Sequence, residues 1–375
     1  MSSVTVDINY KKEMGFVLNF IINGLKMVKM NILFNMAHPG QVHLFKNTIW
    51  ELEKRGHKCK ITIIDKEVSL KLLDAYDFKY DVVGAAKSSM FAKAIELLKI
   101  ESRLFKICKS FKPDVLVGGV GNAYVAHVGK MIRKPSIVFD DTEHARLEHL
   151  LTDPFATVIC TPSCFQKDLG KKQIRYNGYH ELAYLHPNYF TPNPSVLSEI
   201  GLSEEDTYIV LRFVLWDADH DTGQYGIKNK IEFVNYLEKY GRIIITSEGK
   251  LEPELIKYKI KVSPDKLHDL LYYATLCVGE GATTAVESAV LGTPSIYVSS
   301  LSGEMGNFKE IEGKYGLVYC FTDTMKALEK AVGLLQNSKI KSEWCKKRQQ
   351  LLIDKLDVTK FMVEFIEEFP KNLKM

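Results

Sequence analysis

Apolar residues fall into two alternating rhythms along most of this chain. Short apolar-rich runs at residues 31–35, 60–64, 114–117, 136–139 and 157–160 have the length and composition of strands in a parallel sheet. Between them, apolar positions recur at helical spacing. Val42, Phe45, Ile49 and Leu52 mark one helix face that ends before Gly56, and a longer helix is predicted over 90–111. A further helix runs through Lys130. The texture then changes: Pro187, Asn188, Pro192, Asn193 and Pro194 form a linker. Beyond it the alternation restarts, with strands predicted at 207–215 and 243–246, a helix at 265–273, and helix from about residue 324 to the end. Strand and helix alternating almost throughout predict an α/β protein built on parallel sheets.

At 375 residues the chain is too long for one core of ordinary size. We read residues 1–29 as an extension, 30–190 and 191–355 as two Rossmann-like domains, and 356–375 as a terminal helix that packs back on the first domain. Two such domains place a cleft at the carboxyl ends of both sheets. The extension holds an apolar run at 15–25, too short to span a bilayer and interrupted by Asn19 and Asn23. It reads as the product of an upstream start codon, with a membrane-touching appendage as the other reading. A hydrophobic fraction of 46% and a charged fraction of 26% fit a soluble globular protein. The net charge of +4 is spread without a basic block, which argues against nucleic acid. Seven cysteines, an odd number without a C-x-x-C pair, read as reduced thiols of a cytoplasmic protein.

The richest chemical signal lies at residues 276–298. A strand ends at Gly279, and the small-residue turn Gly281-Ala282-Thr283-Thr284 opens a helix whose buried face carries Val286, Ala289 and Val290. Gly292 stops that helix and Pro294 leads into the next strand. Such a turn aims backbone N–H groups and the positive helix end at an anion, most naturally a phosphate. Glu287 stands one helical turn beyond Thr283 and can accept hydrogen bonds from a ribose diol. Pattern alone does not separate this from an ordinary Gly-rich turn with a solvated Glu287. Other polar residues also fall at strand ends. They are His38 and Gly40 after the first strand, Gly119, Gly121 and Asn122 after another, and Asp140, Glu143 and His144 after a third. Arg212 lies within the first strand of the second half, and His220 in the loop after it.

Three segments carry a resemblance to a known family. These are 30–56 with its His38-Pro39-Gly40 turn, 139–145 (Phe-Asp-Asp-Thr-Glu-His-Ala) and 178–185 (Gly-Tyr-His-Glu-Leu-Ala-Tyr-Leu). Together they resemble domain of unknown function 354, in the GT-B superfamily. That family is similar to inverting UDP-sugar transferases and to non-hydrolysing UDP-N-acetylglucosamine 2-epimerases. The resemblance implies a GT-B fold, two Rossmann-like parallel-sheet domains facing a central cleft. By position it implies that Gly281, Ala282, Thr283 and Thr284 hold the donor diphosphate with Arg212, that Glu287 takes the ribose, and that the uracil lies near 261–263, before His268. It places Gly40, Gly119, Gly121, Asn122 and His144 in the loops of the N-terminal cleft. His38 becomes the first candidate for general base, with Asp140 or Glu143 as alternative base or orienting partner. His220 matches an epimerase histidine and Glu143 an epimerase carboxylate. Gly119-Val120-Gly121 stands where an epimerase has an aspartate, and a second epimerase glutamate aligns nearer Arg146. We therefore rank transferase above epimerase, with a binding protein that does not turn the sugar over as a third class. The substrate expected is a nucleotide sugar, UDP-linked, without cofactor or metal; Asp217-Ala218-Asp219 reads as a solvated acidic loop. The expected acceptor is a glycan or lipid-linked glycan for the cell surface, reached from the cytoplasm with peripheral membrane contact.

Overall fold

The computed structural model describes residues 28–372, apart from 67, 88, 215–224, 248, 301, 302 and 304. Seven strands form the first sheet: Asn31–Met36 (β1), Lys58–Asp65 (β2), Tyr80–Ala85 (β3), Val115–Gly119 (β4), Ser136–Phe139 (β5), Val158–Pro162 (β6) and Gln173–Tyr176 (β7). Their order is β3-β2-β1-β4-β5-β6-β7, and every pairing is parallel. Five strands form the second: Tyr208–Phe213 (β8), Arg242–Ser247 (β9), Leu276–Gly279 (β10), Ser295–Val298 (β11) and Val318–Phe321 (β12). They run β12-β11-β10-β8-β9, again all parallel.

The two orders matter for function. Strand order reverses between β1 and β4 in the first sheet and between β8 and β10 in the second. Loops leaving such a pair diverge to opposite faces and open a crevice at the carboxyl edge, where α/β proteins bind ligands. His38 follows β1 and Asn122 follows β4, while Arg212 lies at the end of β8 and Gly281 follows β10.

The inner strands are apolar throughout because helices cover both faces of each sheet. Phe34, Phe45 and Phe139 are fully buried and touch in sequence, with ring centroids 5.5 Å and 6.0 Å apart. Three edge strands, β3, β7 and β12, escaped the reading of the sequence. An edge strand is half exposed, so its apolar run is broken: Val82 is exposed in β3, and Ile174 and Arg175 are exposed in β7.

The last helix, Val358–Asn372, lies against the Pro39–Lys54 and Leu182–Leu185 helices of the first domain. Its inner side buries Met362, Val363 and Ile366. Thr359 Oγ1 donates to the Ala183 carbonyl at 2.6 Å. Glu367 receives Arg55 Nη1 at 2.9 Å and His57 Nε2 at 2.8 Å. The other ring nitrogen of His57 accepts from the Met30 amide at 3.1 Å, which fixes Nε2 as the donor toward Glu367. No helix among the described residues is long and apolar enough to cross a membrane.

Candidate functional site

In the second domain, β8 and β10 pair with Gly279 opposite Arg212. A Cβ on Gly279 would lie 2.9 Å from the Arg212 carbonyl oxygen, so this close approach requires glycine. A Cβ on Gly281 would lie 3.4 Å from Arg212 Cγ, so the arginine stem runs alongside the turn. The ten-residue helix Ala282–Leu291 begins there, with Thr283 exposed, Ala282 half-buried and Thr284 buried. It stops at Gly292, whose φ of 83° lies in the left-handed region. The neighbouring Glu280 has a structural task. Its buried carboxylate accepts from the amides of Val214 at 3.1 Å and Ile227 at 2.8 Å, and pairs with Lys230 Nζ at 3.2 Å.

Glu287 is not solvated: its relative exposure is 4%. Its Oε1 accepts from the Tyr184 hydroxyl and meets His268 Nε2, both at 2.9 Å. Tyr184 belongs to the first domain, so this contact crosses the cleft. His43, on the Pro39–Lys54 helix, stacks on Tyr184 at 5.4 Å and meets His268 edge-on at 4.6 Å. The Tyr76 hydroxyl lies 3.2 Å from His43 Nδ1, and Lys46 Nζ lies 4.4 Å from the centroid of the Tyr76 ring. Burial lowers the pKa of His43, helped by the positive charges of His268, Lys46 and His38 nearby. Burial also pulls Lys46 down to about 8, against the pull of Asp265 and Asp269. Sequence reasoning missed His43, Lys46, Tyr76 and Tyr184. Only Tyr184 had a signal, its place in the 178–185 motif.

In the first domain, His38 has an extended backbone, φ −153° and ψ 148°, and caps the Pro39–Lys54 helix. Its Nδ1 accepts from the Gly40 amide at 3.1 Å. A neutral imidazole in that state carries its proton on Nε2. The ring is then a donor toward its surroundings, not the proton acceptor that a general base must be. The Gly119–Asn122 turn is shaped by two side chains that cross it. Gln41 takes the Ala37 amide on Oε1 and donates Nε2 to the Val120 carbonyl, both at 2.8 Å. A Cβ on Gly119 would sit 2.6 Å from Gln41 Nε2, and Gly121 takes φ 72°. Asn122 is fully buried and donates Nδ2 to the Asn35 carbonyl at 2.5 Å. These contacts build the turn, and they leave Asn122 Oδ1 and Asn35 Oδ1 buried without a hydrogen-bond partner among the described residues.

The loop after β5 is different. Asp140 is buried, accepts from the Thr142 amide at 2.8 Å on Oδ1, and lies 3.4 Å from His149 Nδ1. Burial pushes its pKa up to about 7, although His149 and the Thr142 amide oppose that. Glu143 turns toward the second domain: its Oε1 accepts from the Gly306 amide of that domain at 2.9 Å and from the Gln166 amide of the first domain at 3.2 Å. Its Oε2 is buried with no partner among the described residues. His144 is half-buried in the same bend. Asp141 reaches across to the segment after β7 and meets His180 Nδ1 at 3.1 Å. His220 and the Asp217-Ala218-Asp219 segment lie outside the described residues.

Over residues 30–371 the sequence matches the family described as "Protein of unknown function (DUF354)". The chain belongs to the DUF354 family. An uncharacterised protein of Methanocaldococcus jannaschii is 24% identical over 283 residues, 72% of this chain and 82% of its own length. Among solved structures, this DUF354 protein resembles the UDP-GlcNAc 2-epimerase of Neisseria meningitidis, which was solved bound to UDP-GlcNAc. The TM-score is 0.66 at 13% identity, covering 90% of this chain and 99% of that one. It also resembles the spinosyn forosaminyltransferase SpnP, with a TM-score of 0.61 at 13% identity over 92% and 99% of the two chains. The UDP-GlcNAc 2-epimerase of M. jannaschii, in complex with UDP-GlcNAc and UDP, scores 0.60 at 16% identity over 86% and 99%. At these identities the likeness is one of fold, and that fold is the GT-B arrangement of two parallel-sheet domains.

Proposed function

We propose that this protein binds a nucleotide sugar, UDP-linked, between its two domains and transfers the sugar to an acceptor. One observation carries the reading. At the β8/β10 switch point the Arg212 stem runs beside the turn that opens at Gly281, and Glu287, one helical turn beyond Thr283, meets Tyr184 of the first domain. In this reading the first-turn amides and Arg212 hold the diphosphate and stabilise it as it leaves. Glu287 takes the ribose, whose hydroxyls replace the Tyr184 hydroxyl on Oε1 when nucleotide enters. His268 keeps the carboxylate in place. The acceptor approaches from the first domain, past the loops that follow β1, β4 and β5. We assign it as a glycan or lipid-linked glycan, met on the cytoplasmic side of the membrane, in cell-surface glycan or glycolipid synthesis. No cofactor or metal takes part in this scheme.

Glu287→Ala tests the ribose assignment. It should weaken UDP binding by about 1–3 kcal/mol, the scale of a charged hydrogen bond removed from a site. Unchanged UDP affinity by calorimetry would end that assignment.

A second reading, epimerisation at the sugar, has its own support. Asp140, Asp141, Glu143 and Glu181 crowd the carboxyl edge of the first sheet, and epimerisation needs several groups that exchange protons. Incubation with UDP-N-acetylglucosamine separates the readings: a new epimer without acceptor favours epimerase, and UDP release that depends on acceptor favours transferase. Binding without either product leaves a protein that holds nucleotide sugars only.

A further inference from the structure

The 178–185 motif carries two adjacent ionisable residues, His180 and Glu181. Both are more than nine-tenths buried, with relative exposures of 9% and 4%. They follow β7 and lie at the carboxyl edge of the first sheet. His180 Nδ1 lies 3.1 Å from Asp141 Oδ2, so Nδ1 carries a proton and donates it to that carboxylate. This fixes the tautomer, and the lone pair of neutral His180 then sits on Nε2. Nε2 is buried and has no hydrogen-bond partner among the described residues. The same holds for Glu181 Oε2 and the Tyr176 hydroxyl close by, and the Tyr176 ring lies parallel to that of His180 at 6.4 Å. Buried polar atoms without partners are rare because each forfeits hydration, and several in one place call for an explanation. A base positioned by a carboxylate, its reactive lone pair unused by the fold, is such an explanation.

We propose that His180 is the general base for acceptor attack and that Asp141 is its positioning residue. This rests on the nucleotide-sugar reading above and replaces His38 in that role. The acceptor O–H bond breaks and its proton goes to His180 Nε2. The acceptor oxygen bonds to the sugar C1, and the C1–O bond to the diphosphate breaks with its electron pair leaving on the diphosphate. Access requires the domains to part at the nearby contacts of Glu143 Oε1 with the Gly306 amide and of the Tyr179 hydroxyl with Glu310, 2.9 Å and 2.7 Å long.

The groups facing His180 are Asp141 and Asp140 from the β5 loop, Glu181 on its own segment and Tyr176 from β7. Burial alone would lower the pKa of His180, but the charge and hydrogen bond of Asp141 raise it above its usual value. Burial and the nearby Asp141 push Glu181 up to about 8, so it is mostly neutral at pH 7 and leaves Asp141 as the partner charge. A base works when deprotonated. Turnover should therefore rise with pH through a midpoint above 6.5, and Asp141→Asn should move that midpoint down by removing the charge that raises it.

The test uses the full chain and UDP-N-acetylglucosamine. Calorimetry on the wild type examines the nucleotide reading by itself. His180→Asn should then bind UDP within about twofold of wild type yet transfer the sugar to acceptor or to water, and so free UDP, about a hundredfold to ten-thousandfold more slowly. Asp141→Asn should shift the pH midpoint, a readout that a merely structural role would leave in place. Wild-type UDP release by a folded His180→Asn protein overturns the proposal. Where wild type binds without turnover, or does not bind, the imidazole 15N spectrum decides. An Nδ1–H tautomer that titrates above 6.5 and moves down in Asp141→Asn supports the dyad, and an Nε2–H tautomer overturns it. If His180→Asn fails to fold, Glu181→Gln and Asp141→Asn carry the kinetic and spectroscopic arms.

Discussion

His38→Asn and His38→Ala, made together, separate a cap from a catalyst. Pro39 at the first helical position has no N–H, so the Gly40 amide is the first donor of the Pro39–Lys54 helix. His38 Nδ1 accepts it at 3.1 Å. Alanine leaves that donor without its partner and should cost about 0.5–2 kcal/mol of stability. Asparagine Oδ1 stands the same number of bonds from the backbone as Nδ1, and asparagine is among the best N-caps, so most of that loss should return. Catalysis divides the readings further. A capping residue predicts that His38→Asn keeps UDP release within about threefold of wild type. A general base predicts a loss of about a hundredfold or more in both variants, because neither side chain can take a proton at neutral pH. Chemical denaturation gives the stabilities, and UDP release from UDP-N-acetylglucosamine gives the rates. Full stability with a hundredfold loss of turnover in His38→Asn would refute the capping argument.

Arg212→Lys should lose much of the affinity for UDP and little of that for uridine, because an ammonium cannot reproduce a bidentate guanidinium–phosphate pair. Equal losses by calorimetry would make Arg212 structural. Glu280→Ala removes the acceptor for two backbone amides and the partner of Lys230 at a buried site, and should lower stability by about 3–5 kcal/mol in urea melts. A loss under 1 kcal/mol would mean that those amides find other acceptors. The Glu367 pair that anchors the last helix should respond to acid. Burial alone would raise the Glu367 pKa, but His57 and Arg55 hold it below its usual value. A depressed folded-state pKa contributes stability that is present above the unfolded value near 4.5 and is lost as pH falls through the folded value. Glu367→Gln should therefore flatten the decline of melting temperature below about pH 4.5 relative to wild type, and an unchanged decline would refute the linkage.

The sequence by itself determined the α/β class, the parallel inner strands and the 90–111 helix. Each rests on local physics that one segment can express: a run of β-branched residues buried on both faces, or a stripe at helical period. It also determined the Gly281 turn, because a left-handed Gly292, a small-residue helix start and a preceding strand are all encoded within a few residues. It did not reveal β3, β7 and β12. An edge strand is buried on one side only, and its identity depends on which neighbour it meets. Nor could sequence tell what Glu287, His38 and Asp141 do. Each has a partner far away or an alternative partner nearby. Tyr184 comes from the other domain to meet Glu287, and the Gly40 amide takes the His38 lone pair. His180 arrives from β7 to meet Asp141 after β5 only because β6 spaces the two strands in the sheet. Side-chain chemistry is written locally, but tautomer, burial and pKa are set by whatever the fold brings within a few ångströms, and only the tertiary structure decides that.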